Sequence, residues 1–463
     1  MAKVQSKEER DKLFGEAPVG KALATMAVPT IIANLINLIY NMADTYFVGQ
    51  TGNPYMIASI SLVFSLFLFM IPISGLFGIG GGSYISRLLG VKEYERIKHV
   101  SAFSFYGAMI VAILYSATIH FGMHGILSFL GASTETYEYA RQYVSMVVVI
   151  GTTPTVLSQT LAHLLRNTGY AKQASFGLSM GGVINMILDP LFMFVLFPKG
   201  YQVMGAAAAT TLSNCIAMIY FIVIFAKTRK ETGLSLNPAD CRIDSTDAKE
   251  VLKIGIPSAI TTLLMDFANM FLSKSMAAHG DLQLAAIGIE SKIERLANTI
   301  CLGLAQAMLP LVAYNYSAKN YKRMKKFVTV TRTTGIIVCV VVIAMYQLLA
   351  NQLIGAFISA KINPADVQTT IGYGVLFLRI RCIGSLFAML NFSATNSFQA
   401  MGDGKLSMAM AVIRQLVLYF PIMIIFDRMF GTVGLVSALP VAEALGAIVS
   451  FILLRNKMKK FEA

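Results

Sequence analysis

The chain has 463 residues, of which 56% are hydrophobic and 13% charged, and its formal net charge is +14. Soluble domains carry roughly 25% charged residues, so this composition and a mean hydropathy of +0.65 exclude a soluble globular protein. A membrane-spanning helix needs about 20 mostly apolar residues. Twelve such runs follow in chain order, centred near residues 33, 68, 110, 150, 186, 214, 262, 300, 338, 382, 416 and 444. Barrel strands need only about 10 alternating residues, so the predicted fold is an all-α polytopic membrane protein with twelve transmembrane helices.

The distribution of charge predicts the topology. Residues 1–20 are charged and lack the apolar core of a cleaved signal peptide, so we expect a cytoplasmic tail with an amphipathic start. Basic residues recur in this tail, in alternate loops and at the carboxyl end, whereas the loops near 49–55 and 122–138 contain no Lys or Arg. By the positive-inside rule, both termini are predicted to face the cytoplasm. The basic excess therefore reflects topology, and no nucleic-acid partner is expected.

The chain is predicted to be an internal repeat of two six-helix lobes. Short matches recur in the same order in both halves, with Pro29 aligned to Pro257, Asn41 to Asn269 and Gly169 to Gly402. Two parallel repeats typically place substrate at the membrane midplane between lobes that rock against each other. The predicted boundaries are a tail at 1–20, an N-lobe at 21–226, a cytoplasmic loop at 227–248, a C-lobe at 249–455 and a tail at 456–463.

Two carboxylates, Asp44 and Asp189, lie inside apolar runs of the first half. A carboxylate at the bilayer centre costs roughly 2.5–3.5 kcal/mol on insertion scales, and such groups usually bind a proton, an ion or a cationic substrate. The alternative is that both are hydrogen-bonded for packing alone. Asn185 lies four residues before Asp189 and therefore on the same helix face. In a shared low-dielectric cavity, the two carboxylates would titrate as a coupled pair.

Four segments resemble motifs of the multidrug and toxic compound extrusion (MATE) family, in its bacterial DinF/MepA-like branch. They are NLIYNMADTYFVG (37–49), NMILDPLF (185–192), GAAAATTLS (205–213) and LVAYNYSAKNYKR (311–323). The resemblance covers essentially the whole chain. It implies that Asp44, Asn185, Asp189 and Thr210 form the ion- or proton-coupling site. The family often has asparagine at the position of His163, so the resemblance does not carry over a role for this residue.

The second half contains further acids inside apolar runs. Asp266 and Glu290 are predicted either to contact cationic substrates or to pair with nearby basic residues, and Glu294 and Glu443 are expected to be ion-paired. The position that aligns with Asp44 is leucine, so we expect coupling to reside in the first half. The predicted substrate contacts are Asp266, Glu290, His163 and Asn41.

Together with the resemblance, these residues predict a secondary antiporter that exports lipophilic cationic compounds in exchange for protons, or alternatively Na⁺. It is expected to act as a monomer among membrane lipids, without a cofactor or a metal site. A flippase for lipid-linked substrates has a similar two-lobed plan and is the alternative. An intramembrane enzyme is not expected, because the sequence has no HExxH metal-ligand motif.

Overall fold

The computed structural model describes residues 6–357 and 364–461, and their regular structure is helical. The helices of the first half are α1 (Lys7–Gly15), α2 (Val19–Gly49), α3 (Pro54–Leu68), α4 (Met70–Gly90), α5 (Tyr94–Phe129), α6 (Thr134–Val144), α7 (Thr152–Asn167), α8 (Ala171–Leu191) and α9 (Gln202–Thr232). The helices of the second half are α10 (Ser245–Ala277), α11 (Asp281–Ser317), α12 (Tyr321–Gly355), α13 (Pro364–Arg381), α14 (Gly384–Ala400), α15 (Gly404–Val412) and α16 (Phe420–Lys459). Wider π-helical turns at Ser145–Ile150, Phe192–Leu196 and Ile413–Tyr419 continue α6, α8 and α15.

The described helices account for twelve membrane spans. Nine helical stretches are long and apolar enough to cross a membrane, and two bent pairs, α6–α7 and α13–α14, bring the number to eleven. The last stretch, Gly404–Lys459, would be about 84 Å long as one straight helix, whereas a bilayer core is about 30 Å thick. It turns at Gly431, whose φ of 58° favours glycine, and therefore forms two spans. The predicted twelve-helix architecture is confirmed.

The two halves repeat each other in local structure as well as in sequence. Pro29 lies inside α2 and Pro257 inside α10, the first span of each lobe. The fourth span bends by 45° between α6 and α7, and its counterpart bends by 42° between α13 and α14. Gly169 and Gly402, which the sequence aligns, both have positive φ, at 92° and 73°. These shared departures from regular helix support the predicted register of the repeat.

The lobes pack against each other at the end of the molecule that carries α1 and the carboxyl end of α16, here called the terminal end. The most extensive contact between them joins α4 to α10. Glycines allow the two backbones to meet, because a Cβ at Gly255 would lie 1.8 Å from the Leu76 carbonyl oxygen and one at Gly80 would lie 2.4 Å from that of Val251. The contact between α2 and α11 extends the interface, with Gly303 against Ile31.

Gly255→Ala is expected to separate α4 from α10, because a Cβ there collides with backbone that cannot rotate away. Overpacking of this kind costs about 1–3 kcal/mol of stability. Gly288→Ala in α11 is the matched control, since a Cβ at that position would meet no neighbouring atom within 4 Å. Thermal unfolding of the purified variants in detergent measures both effects. Equal melting temperatures for the two variants would contradict the tight α4–α10 packing.

Helix extends into two segments whose sequences predict a loop and a tail. The sixth span continues to Thr232 and the seventh begins at Ser245, so the connection between the lobes' helices covers 233–244. The predicted tail at 1–20 contains α1, in which Arg10 and Phe14 are buried. The first segment of the chain is therefore packed onto the transmembrane helices.

Candidate functional site

Asn185 connects two helices at the centre of the predicted coupling site. Its amide donates to Asp189 Oδ1 at 3.0 Å and to Thr210 Oγ1 at 3.2 Å. The Thr210 hydroxyl in turn donates to the Ala206 carbonyl at 3.1 Å. The four-residue spacing on α8 aims Asn185 and Asp189 in one direction, and the alanine-rich start of α9 lets Thr210 approach them closely. Asp189 is completely buried.

Asp44 enters the same cluster from α2 and lies near enough to Asp189 for their charges to interact. Two tyrosines, Tyr40 and Tyr143, also lie within electrostatic range of both carboxylates. Tyr40 is one helical turn before Asp44 on α2, and Tyr143 comes from α6. Three helices, α2, α6 and α8, therefore contribute ionisable groups to one buried cluster, and α9 contributes Thr210.

The group formed by Asp44, Asn185, Asp189, Thr210, Tyr40 and Tyr143 is here called the coupling cluster, after its predicted role. It has more hydrogen-bond acceptors than donors. Asp44 Oδ1, Asn185 Oδ1 and Asp189 Oδ2 are all buried without a hydrogen-bond partner. None of the ion pairs between described residues includes Asp44 or Asp189. A buried acceptor without a donor costs free energy, and a proton or a cation would supply what is missing. Asp189 accepts a hydrogen bond from Asn185, as the packing alternative expects, but the unpartnered oxygens remain unexplained by packing alone.

A small cavity of about 20 Å³ adjoins this cluster. A water molecule needs at least about 10–15 Å³, so the space admits about one. Its lining is mostly polar and comes from α2, α7, α8 and α9, including Asn37, Tyr40, Gln159, Asn185, Thr210 and Asn214. Asn185 and Thr210 thus connect the buried Asp189 to a site that water can occupy.

The other predicted substrate contacts of the N-lobe are His163 and Asn41, and the Asn41 side chain hydrogen-bonds to Tyr40 of the coupling cluster. His163 on α7 packs over Gly78 of α4, and its Nδ1 lies 3.5 Å from Nη1 of the buried Arg166. Asn41 is exposed on α2 and donates to the Asn37 carbonyl at 2.6 Å. Neither side chain lines the small cavity.

The C-lobe contains a contrasting arrangement in which acids and arginines are paired. Arg381 contacts Glu290 at 3.0 Å and Glu294 at 2.6 Å, and Arg414 contacts Glu443 at 2.5 Å. The expected pairing of Glu294 and Glu443 is confirmed. For Glu290, which is completely buried, the structure favours the ion-pair alternative over substrate contact.

Arg381 and Arg414 also line a cavity of about 180 Å³. Drug-sized ligands occupy about 300–1,000 Å³, so the cavity has room for part of such a molecule in this conformation. Asp266 lies nearby on α10, within electrostatic range of Arg295, and its buried Oδ2 has no hydrogen-bond partner.

A second polar network joins the lobes at the terminal end. The Tyr84 hydroxyl of α4 donates to Asp247 Oδ1 of α10 at 2.6 Å, and Arg96 of α5 also pairs with Asp247. Arg87 of α4 pairs with Glu250 of α10 at 2.7 Å. These bonds lie beside the close α4–α10 backbone contact and reinforce closure at that end.

Sequence reasoning missed several members of these networks. The four-residue spacing between Tyr40 and Asp44 was an available signal, because it places both on one helix face. Tyr143 gave no comparable signal, since it reaches the cluster only through the fold of α6. Arg87 and Arg96 belong to one of the basic loops from which the topology is predicted. The positive-inside rule says nothing about their partners across the lobe interface.

The described residues form twelve membrane spans in two repeated lobes, and the N-lobe contains acids without basic partners. These features define a polytopic membrane protein built like a two-lobed transporter. The sequence model of the MatE family matches residues 29–191 and 257–425, one copy in each lobe. The chain belongs to the MatE family. The two matches begin at Pro29 and Pro257, as the predicted repeat does.

Curated relatives match over nearly the full length. The chain is 30% identical over 455 residues to the multidrug export protein MepA of Staphylococcus saprophyticus and 30% identical over 457 residues to that of Staphylococcus aureus strain N315. Each alignment covers 98% of both chains.

Solved structures share the fold. A crystal structure of MATE in complex with MaL6 has a TM-score of 0.91 at 24% identity, covering 98% of this chain and 99% of that one. An outward-facing conformation of a multidrug resistance MATE family transporter of the MOP superfamily has a TM-score of 0.90 at 24% identity, covering 98% of both chains. These similarities support the twelve-helix arrangement described above.

Proposed function

We propose that this protein is a secondary antiporter that exports lipophilic cationic compounds across a bacterial plasma membrane in exchange for protons. The observation that carries the proposal is the pair of interacting carboxylates, Asp44 and Asp189, each with a buried oxygen and without a basic partner among the described residues. Similarity to proteins named for multidrug export supports the substrate class. Lipids are its expected surroundings, both termini are cytoplasmic, and the monomer is the working unit.

Exchange follows from competition for negative charge. A lipophilic cation and a proton both neutralise the carboxylate pair, so binding of one weakens binding of the other. Asn185 can remain hydrogen-bonded to Asp189 in either charge state, since an amide both donates and accepts. Protons that enter from outside displace the substrate, and proton release to the cytoplasm restores the charged site.

The lobes are in contact at the terminal end, so the central region is closed on that side. This supports an outward-facing state, in which protons enter from outside. The predicted topology places this end in the cytoplasm, and the α4–α10 contacts close it. Rocking of the lobes would break these contacts and open the same central region to the cytoplasm.

The available driving force limits the stoichiometry. Moving one charge through about 100 mV is worth about 2.3 kcal/mol. Exchange of one monovalent cation for one proton is electrically neutral and leaves the pH gradient, worth about 1.4 kcal/mol per unit. Exchange for two protons would also use the membrane potential, and two neighbouring carboxylates provide two protonation sites.

Na⁺ is the alternative coupling ion. Asp44, Asn185 and Asp189 each have one buried oxygen without a partner, and Thr210 adds a hydroxyl nearby. Oxygen ligands of this kind suit hard cations. Proteoliposomes loaded with tetraphenylphosphonium, with only a proton gradient or only a Na⁺ gradient imposed, separate the two ions. Proton coupling predicts export in the first case alone, and export driven by Na⁺ alone would overturn it.

Asp266→Asn is expected to change which cations are exported while coupling persists, because Asp266 has a buried oxygen without a partner but lies outside the coupling cluster. Efflux of a panel of monovalent and divalent lipophilic dyes measures the change. Asp281→Asn, at an exposed position on α11, is the control. An unchanged substrate profile in Asp266→Asn would count against substrate contact.

The flippase alternative is tested separately, by dye efflux from energised cells. Efflux that collapses when a protonophore is added indicates proton-driven export and not lipid flipping.

A further inference from the structure

The amino-terminal helix α1 is held by the N-lobe through Arg10. This side chain is 1% exposed, and its Nη1 donates to the Glu231 carbonyl near the end of α9 at 3.0 Å. The guanidinium also lies 5.7 Å from the ring centre of Tyr94 at the start of α5. A Cβ at Gly169 would meet Arg10 at 3.0 Å and Phe14 at 3.5 Å, so α1 packs directly on the loop after α7.

The same helix is held by the C-lobe at its carboxyl end. Arg323 of α12 donates from Nε to the Phe14 carbonyl at 3.0 Å and from Nη2 to the Ala17 carbonyl at 2.5 Å. Asn315 of α11 donates to the same Phe14 carbonyl at 3.0 Å. The buried Phe14 ring meets the ring of Tyr314 edge-on, with 5.4 Å between the centroids.

These contacts match the chemistry of a helix end. The last carbonyls of a helix have no partner within the helix, and they form the negative end of its dipole. The Arg323 guanidinium and the Asn315 amide therefore cap the end of α1, and the guanidinium adds a positive charge that complements the dipole. Glu231, which accepts from Arg10, belongs to the N-lobe, and Arg323 belongs to the C-lobe. The helix α1 therefore keeps both sets of bonds only while the lobes remain together at the terminal end.

We propose that α1 is a latch that holds the two lobes closed at the terminal end and must release one lobe before the protein opens there. The inference rests on the proposed rocking mechanism. Pro18 and Val19 connect α1 directly to α2, the helix that carries Asp44. The latch thus fixes the base of the helix that contributes the first coupling carboxylate.

Hydrogen–deuterium exchange of the purified full-length protein tests the latch. Phe14→Ala and Arg323→Ala each remove one contact between α1 and the C-lobe, and the double variant removes both. Lys12→Ala on α1 and Lys322→Ala on α12 are matched controls, because both side chains are exposed. The readouts are amide exchange in α1, at the α4–α10 interface (76–90 and 245–258), and at the opposite end of α2 (40–50).

The latch predicts faster exchange in α1 and at the α4–α10 interface in the anchor variants, with no change near residues 40–50. Because a hydrogen bond to a charged donor corresponds to about a tenfold change in an equilibrium, we expect about tenfold faster interface exchange in Arg323→Ala. Unchanged interface exchange in the double variant, with α1 itself exchanging freely, would overturn the proposal. So would a uniform increase over the whole protein, which indicates general destabilisation. Export is measured separately in the parent protein. If the parent does not export lipophilic cations while the anchor variants show the expected exchange response, the proposed function fails and the latch stands.

Discussion

Replacing Asp44 or Asp189 with asparagine is expected to abolish coupled export while the protein remains in the membrane at normal levels. Asparagine keeps the size and hydrogen-bonding capacity of the side chain but cannot exchange a proton or hold a cation by charge. A carrier that loses coupling can no longer concentrate its substrate. The ratio of substrate concentrations across the membrane should therefore fall by about tenfold for each unit of pH gradient that is no longer used.

Efflux of a fluorescent lipophilic cation from energised cells measures this loss, with membrane levels compared by immunoblot. Asp281→Asn changes an exposed aspartate of the C-lobe and should export normally. Full efflux in Asp44→Asn would remove that residue from the mechanism. Because Asp44 and Asp189 interact, the double variant should lose little more than either single variant.

Arg381→Ala is expected to cause the largest loss of stability in the C-lobe. Arg381 is buried between Glu290 and Glu294, and its removal leaves two carboxylates without a counterion. Breaking a buried ion pair by removing one partner costs about 3–5 kcal/mol. The purified variant should therefore melt at a clearly lower temperature than the parent protein in the same detergent.

Two further variants test this explanation. Arg141→Ala removes an exposed pair with Glu138, which should cost no more than about 1 kcal/mol. Combining Arg381→Met with Glu290→Gln and Glu294→Gln removes all three charges and should recover much of the stability. If Arg381→Ala melts no earlier than Arg141→Ala, the cluster does not stabilise the C-lobe as described.

Features that follow from local sequence were predicted well. Each span is a continuous apolar run, and the number of runs gave the architecture. The contact between Asn185 and Asp189 followed from a four-residue spacing on one helix, which fixes the relative position of two side chains. The place of Thr210 beside them came from the family resemblance, because α8 and α9 are separate helices.

Features that depend on contacts between helices were not predictable in the same way. Glu290 and Glu294 had several basic residues in reach along the sequence, and only the packing of α11 against α13 selects Arg381. The segment KEERDKLFG has the composition of a solvated tail, yet Arg10 and Phe14 are buried because both lobes supply partners. Its burial is a property of the assembled lobes.

Proton release on substrate binding tests the central claim most directly. Purified protein in weakly buffered detergent solution is mixed with tetraphenylphosphonium while a pH indicator follows the solution. Competition for Asp44 and Asp189 predicts that binding of the cation releases protons in the parent protein and fewer in Asp44→Asn. Tight binding of the cation without any proton release would contradict proton exchange at these carboxylates.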